Sequence, residues 1–200
     1  MVSVTDKILE RIRSKGEGWA FTAKDFLDIA NRASVDKGLS TAYKAEDIRR
    51  VCRGVYDYPR QGTFLPGEMP PDFDQVAHAL SRSTGTRIIA SGATAANLLG
   101  ISEQVPAKIL YLTDGTSRKV QIGNRTIAFK HVRSKELLDD ELSGMVVQAL
   151  RFTGRNAVTD KDLRRIRRNL TPDQRKTLVK QAQYTSDWIA DAARQIAGEP

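Results

Sequence analysis

The side chains with the clearest chemical reach cluster early in this 200-residue chain. Lys37, Ser40, Thr41 and Lys44 recur at three- and four-residue spacing, and Arg49, Arg50 and Arg53 follow, beside Tyr56. On a helix that spacing gathers the first four on one face, opposite Val35, Leu39 and Ala42. Such a face suits the DNA major groove. Lysine donates to guanine O6 and N7, short hydroxyls bond several bases, and threonine offers its methyl to thymine. Asp36 would accept from a cytosine amine or support the helix N-terminus. Arginines on a hairpin beside a groove meet phosphates or enter the minor groove. With Arg32 in the turn before the helix and Ser34 at its cap, the candidate contact set is Arg32, Ser34, Lys37, Ser40, Thr41, Lys44, Arg49, Arg50, Arg53 and Tyr56. Plainer explanations exist for each part: polar residues cover any solvated helix face, and basic ones protect an exposed strand edge.

Other constellations are thin. The two histidines, His78 and His131, and the one cysteine, Cys52, form no metal spacing, so no metal, cofactor or catalytic residue is expected. A lone cysteine excludes an intrachain disulfide and fits a reducing compartment. No P-loop or GxGxxG occurs. Ser91-Gly92-Ala93-Thr94 is a small-residue turn where an anion could sit, or a simple connection. Asp139-Asp140-Glu141 is read as a helix start. The segment from Lys161 to Lys176 holds seven Lys/Arg and two acids. Its Arg164, Arg165, Arg167 and Arg168 make a possible second basic surface for phosphate, RNA or an acidic partner, or a solvated helix.

The elements that must position these residues follow from patterning. The net charge of +8 raises the prior for an anionic partner, although residues 1–63 carry 12 Lys/Arg against 9 Asp/Glu, a net of only +3. Local clustering matters more there than bulk charge. Thr5 is expected to cap a first helix bearing Ile8 and Ile12, and Thr22 a second with Phe26, Leu27 and Ala30 inward. Ser34 is expected to cap a third. A hairpin then turns at Arg53-Gly54 and stops at Pro59. Gly38 interrupts the third helix and suggests close packing against the second. Residues 59–71 hold four of the seven prolines and two glycines, the composition of a linker or wrapped connection. Beyond it, helices are expected at 72–83 and 93–99, strands at 87–90, 108–112, 119–122 and 126–132, and four helices from 144 to 197, the last capped by Thr185. No apolar run approaches a membrane span and no signal peptide is evident, so the chain is expected in the cytoplasm.

The order winged helix, linker, then RIIASGATAANLLGIS followed by KILYLTDGTSRKVQIGNRTIAFKHV, resembles the AbiEi-type antitoxins of type IV toxin–antitoxin (abortive infection) systems. The segment DIRRVCRGVYDYP resembles that family's wing, and the likeness covers most of residues 5–155. It implies an N-terminal domain that binds operator DNA and represses its own operon. It also implies a C-terminal domain that counters a nucleotidyltransferase-like toxin, not usually by direct binding. Carried onto this chain, Lys37 to Lys44 and Arg49 to Arg53 would read the operator.

The resulting expectation is a mixed α/β protein. It has a winged helix-turn-helix at 1–60, a linker at 61–71, and an α/β antitoxin domain ending in helices at 72–200. The partners would be double-stranded operator DNA, bound by two copies on an inverted repeat, and a cognate toxin, with no membrane. Two other classes stay open. One is a degenerate nuclease or nucleotide-processing enzyme, with Asp114, Glu136 and Lys130 as the nearest candidates. The other is an interaction module that binds its toxin directly.

Overall fold

The structure, a computed structural model, describes residues 2–62 and 67–198. The chain divides into two compact units, Met1–Thr86 with Gln121–Gly123, and Arg87–Val120 with Asn124–Pro200. The architecture is mixed α/β, as the element order implied.

In the first unit, α1 (Val4–Lys15) is capped by Ser3, not Thr5. Ser3 and Asp6 exchange side-chain and backbone bonds, whereas the residue three beyond Thr5 is Ile8, which has nothing to return. Ile8 and Ile12 are fully buried. Strand β1 (Ala20–Phe21) leads into a single 3-10 turn, Ala23–Phe26, in place of a full second helix. The Thr22–Asp25 capping box closes that turn, and Phe26 takes the buried place. Leu27, expected in the core, is 44% exposed.

Helix α2 (Arg32–Lys44) starts earlier than Ser34 because Asn31 Oδ1 accepts the Ser34 N–H at 3.0 Å. Gly38 faces α1 and not the 3-10 turn: a Cβ there would come 2.9 Å from Ile8 Cδ1. Strands β2 (Arg49–Cys52) and β3 (Val55–Asp57) join at Gly54, whose φ of +76° suits glycine. The sheet order is β1-β3-β2, with β3 antiparallel to both neighbours. Trp19, Phe21 and Phe26 pack as a ring cluster, Phe21 and Phe26 edge to face at 5.4 Å.

Helix α3 (Phe73–Thr84), expected to open the second domain, belongs to the first unit. It packs on β1, β3 and the 3-10 turn. Its Arg82 donates to Asp25 Oδ1 and to the Ala20 carbonyl, both at 2.8 Å. The two arms of the proline-rich segment pair with each other, Gln61 against Glu68, with the Gly62 N–H donating to the Gly67 carbonyl. Residues 63–66 of the expected linker lie outside the described residues.

From Arg87 on, the chain runs β4 (Ile88–Ala90), α4 (Ala93–Leu98), β5 (Ile109–Thr113), β6 (Arg118–Ile122) and β7 (Arg125–His131). It continues with α5 (Glu141–Thr153), α6 (Asp160–Arg168), α7 (Pro172–Ala182) and α8 (Asp187–Ala197). The sheet order is β4-β5-β7-β6, with β4 and β5 antiparallel and β5 and β7 parallel. In β5, Ile109, Tyr111 and Thr113 are buried while Leu110 and Leu112 are half-buried, the period of two of a strand with unequal faces. Asp140 caps α5, so the acidic run does start a helix. Ser186, not Thr185, occupies the N-cap of α8; the Thr185 hydroxyl instead donates to the Ala182 carbonyl at the end of α7. Among the described residues no helix is long and apolar enough to cross a membrane.

Candidate nucleic-acid interface

The candidate interface is the outward face of α2 with the β2–β3 hairpin. The helix forms because Asn31 caps it and Val35, Leu39 and Ala42 bury one stripe against the core. That burial turns Lys37, Ser40, Thr41 and Lys44 to solvent, and all four are exposed. The Thr41 hydroxyl donates to the Lys37 carbonyl at 3.0 Å. Its methyl and an acceptor lone pair remain for a base. Arg32 is exposed and its Nε faces both carboxylate oxygens of Asp36, at 2.8 and 2.9 Å. An exposed i,i+4 pair of this kind contributes only a few tenths of a kcal/mol and opens readily to a phosphate. Asp36 thus supports Arg32 on this face. Ser34 sits half-buried in the first turn.

The three wing arginines separate. Arg50 and Arg53 are exposed, and among the described residues neither forms an ion pair. Arg49 turns inward. Its Nε and Nη2 donate to the two carboxylate oxygens of Asp57, at 3.0 and 2.6 Å, and Nη1 donates to the Met69 carbonyl at 2.8 Å. Glu68 adds a longer bond at 3.3 Å. Asp57 is 1% exposed, and its bonds hold the Arg49 guanidinium above its ordinary pKa. Arg49 is therefore committed inside the protein, fastening the hairpin base to residues 68–69. Tyr56 is likewise part of the packing, stacked 6.3 Å from Phe21 and half-buried.

Tyr43 was not in the candidate set. It is 47% exposed on α2, 6.4 Å from Tyr56. It follows the buried Ala42, at the border of the apolar stripe, so only the built helix shows that it is exposed. Cys52 lies half-buried in β2, and burial pushes its thiol pKa up, which fits a strand residue better than a nucleophile.

The second basic surface stands on α6. Leu163 and Ile166 are buried, and Arg164, Arg165, Arg167 and Arg168 are exposed with no ion pair among the described residues. Arg165 and Arg167 lie against Gly100 and Gly198, which leaves Arg164 and Arg168 as the freer pair. The acidic Asp162 serves the Thr159 capping box.

Of the loose enzyme set, Glu136 and Lys130 border one cleft, while Asp114 is held by Arg87, through the backbone N–H at 2.8 Å and Nε at 3.2 Å, and does not line it. Among the described residues no three His, Cys, Asp or Glu side chains gather as a metal site would need. At the Ser91–Thr94 turn, Thr94 Oγ1 accepts the Leu110 N–H at 3.0 Å, so the turn ties α4 to β5.

None of the curated proteins compared with the chain matches it. The crystal structure of the RV2827C protein from Mycobacterium tuberculosis is similar over 98% of this chain and 78% of that one, with a TM-score of 0.44 and 12% identity. The model of DUF6088, a family of unknown function, matches residues 7–178, and the chain belongs to that family.

Proposed function

We propose that this chain is a DNA-binding antitoxin of the AbiEi type that represses its own operon. The first unit acts as a winged helix, with α2 in the major groove and the β2–β3 hairpin on the adjacent backbone. One observation carries the DNA half of this reading. Lys37, Lys44, Arg50 and Arg53 are exposed, lie on one helix and its following hairpin, and form no ion pair among the described residues. Cations held free in this way suit phosphate binding, where each neutralised phosphate releases a counterion. The element order helix, strand, turn, helix, hairpin and the sheet order β1-β3-β2 support the same reading. The antitoxin half is supported by the sequence resemblance over residues 5–155. On this reading the second unit counters a nucleotidyltransferase-like toxin, and two copies occupy an inverted repeat.

The test is a mobility-shift titration of the chain's own promoter and a random duplex over a range of salt. With Lys37 on a base, the three phosphate contacts of Lys44, Arg50 and Arg53 give a log–log salt slope of roughly −2.7 per protomer, or about −5.4 for two copies. Lys37→Ala or Thr41→Ala should cost roughly 1–3 kcal/mol on promoter and little on random DNA. Arg50→Ala or Arg53→Ala should weaken both alike. Affinity flat with salt, or equal for the two duplexes, defeats the repressor reading. Rescue of growth from the toxin encoded beside it tests the antitoxin half separately.

A further inference from the structure

In the second unit, one face of the sheet is only partly covered. The strand registers set Ile89 beside Leu112, and Leu112 beside Lys130. Helix α5 lies over Ile89, with Gly144 against it, and packs on β4. The neighbouring surface of β5 and β7 forms a cleft of about 610 Å³. That is within the range of roughly 300–1,000 Å³ that holds small organic ligands. It runs along the face of the parallel pair from Leu110 and Leu112 on β5 to Lys130 at the end of β7 and Val132 beyond it.

The cleft walls differ in chemistry. Leu110, Leu112 and Val147 make an apolar floor. Lys130 and Arg151 border it, both exposed and both without an ion pair among the described residues. The Ser91 hydroxyl donates to Gln148 Oε1 at 3.1 Å, so the Gln148 NH2 remains a donor. Tyr184, 83% exposed, supplies a flat ring at the lip. Glu136 is the one carboxylate on the border and suits a hydroxylated ligand.

We propose that this cleft binds a small organic phosphate of mononucleotide size. The flat body rests on the leucine floor and against Tyr184, and the phosphate is held by Lys130 and Arg151. An arginine fork with a lysine point charge matches a phosphate dianion, and the apolar floor gives no reason to bind phosphate alone. This site is independent of the DNA-binding face.

Calorimetric titration of the full chain with nucleoside 5′-monophosphates tests it, with adenosine, inorganic phosphate and laurate as controls. At least one monophosphate should bind in the micromolar to low-millimolar range, with nucleoside and phosphate each at least about tenfold weaker. Lys130→Ala and Arg151→Ala should each weaken it about tenfold, one charge-assisted bond apiece, without moving the thermal midpoint. Arg50→Ala, on the DNA-binding face, should leave it unchanged. No binding of any monophosphate at millimolar concentration overturns the proposal. So does inorganic phosphate binding as tightly, a loss caused by Arg50→Ala and not by Lys130→Ala, or binding of laurate alone.

Discussion

Arg49 provides the sharpest test of how the hairpin is built. Its neighbours Arg50 and Arg53 face solvent, but Arg49 is held against Asp57, which is 1% exposed. Arg49→Met keeps much of the aliphatic stem and removes the charge. It leaves a buried carboxylate without its cation. Breaking a buried pair from one side costs roughly 3–5 kcal/mol. The Arg49 side chain is 25% exposed, so the low end, about 3 kcal/mol, applies. Glu68, at 46% exposure, adds little. With a urea m-value of about 1.5 kcal/mol/M for a unit of this size, the midpoint falls by about 2 M. Trp19 fluorescence in a Trp188→Phe background follows the first unit alone. Arg49→Met combined with Asp57→Leu should recover most of the loss, because both charges are gone. In DNA binding, Arg49→Met should keep the salt slope wherever the protein is folded, while Arg50→Ala lowers it by about 0.9 per protomer. If Arg49→Met leaves the urea midpoint in place and lowers the salt slope, Arg49 is a DNA contact and the ion pair is incidental.

Gly144→Ala should destabilise the second unit by about 1–2 kcal/mol, since the added methyl meets the Ile89 side chain at Cδ1, Cγ1 and Cγ2 and overpacking outweighs the helix-propensity gain. Gly38→Ala meets only the terminal methyl of Ile8 below 3 Å, so propensity offsets strain and the change stays within about 1 kcal/mol; thermal midpoints of the two variants separate the cases, and equal shifts refute the distinction. Burial raises the Asp114 pKa, but the Arg87 N–H and guanidinium outweigh it and hold the carboxyl below its usual value. That stability is present above the ordinary carboxylate pKa and is lost as pH falls through the depressed one. Asp114→Asn should therefore lose less stability than the natural protein between about pH 5 and pH 2, read as urea midpoints, and equal acid sensitivity would sink the assignment. A fragment ending at residue 86 should fold and keep promoter binding. One ending at residue 71 should not fold stably, because it lacks the buried Val76, Ala77 and Leu80 and the Arg82–Asp25 bond. Equal thermal stability of the two fragments would show that α3 is dispensable.

The sequence by itself determined most element types and places, the second helix of the first unit, a single 3-10 turn, being the exception. The α6 and α7 caps Thr159 and Thr171, like Thr22, Asp72 and Asp140, act on amide groups two or three residues away, so the chain carries those signals locally. The alternation in β5 and the stripe Val35, Leu39, Ala42 on α2 are equally local, and they sufficed to place Lys37, Ser40, Thr41 and Lys44 on an exposed face. Even these signals erred where two caps competed, Ser3 with Thr5 and Asn31 with Ser34, since only the built turn shows which oxygen meets which amide. Tertiary structure decided the rest. Arg49 looked like its neighbours until strand register set it opposite Asp57 and the returning segment brought up Glu68 and Met69. Helix α3 was read as the start of the second domain because the proline-rich segment precedes it, yet its apolar face finds its partners on β1 and β3. Lys130 and Arg151 share a cleft only because β5 and β7 pair in parallel and α5 packs on β4. Caps and periodicity act over a few residues of chain, whereas ion-pair partners, domain membership and clefts depend on which distant segments fold together.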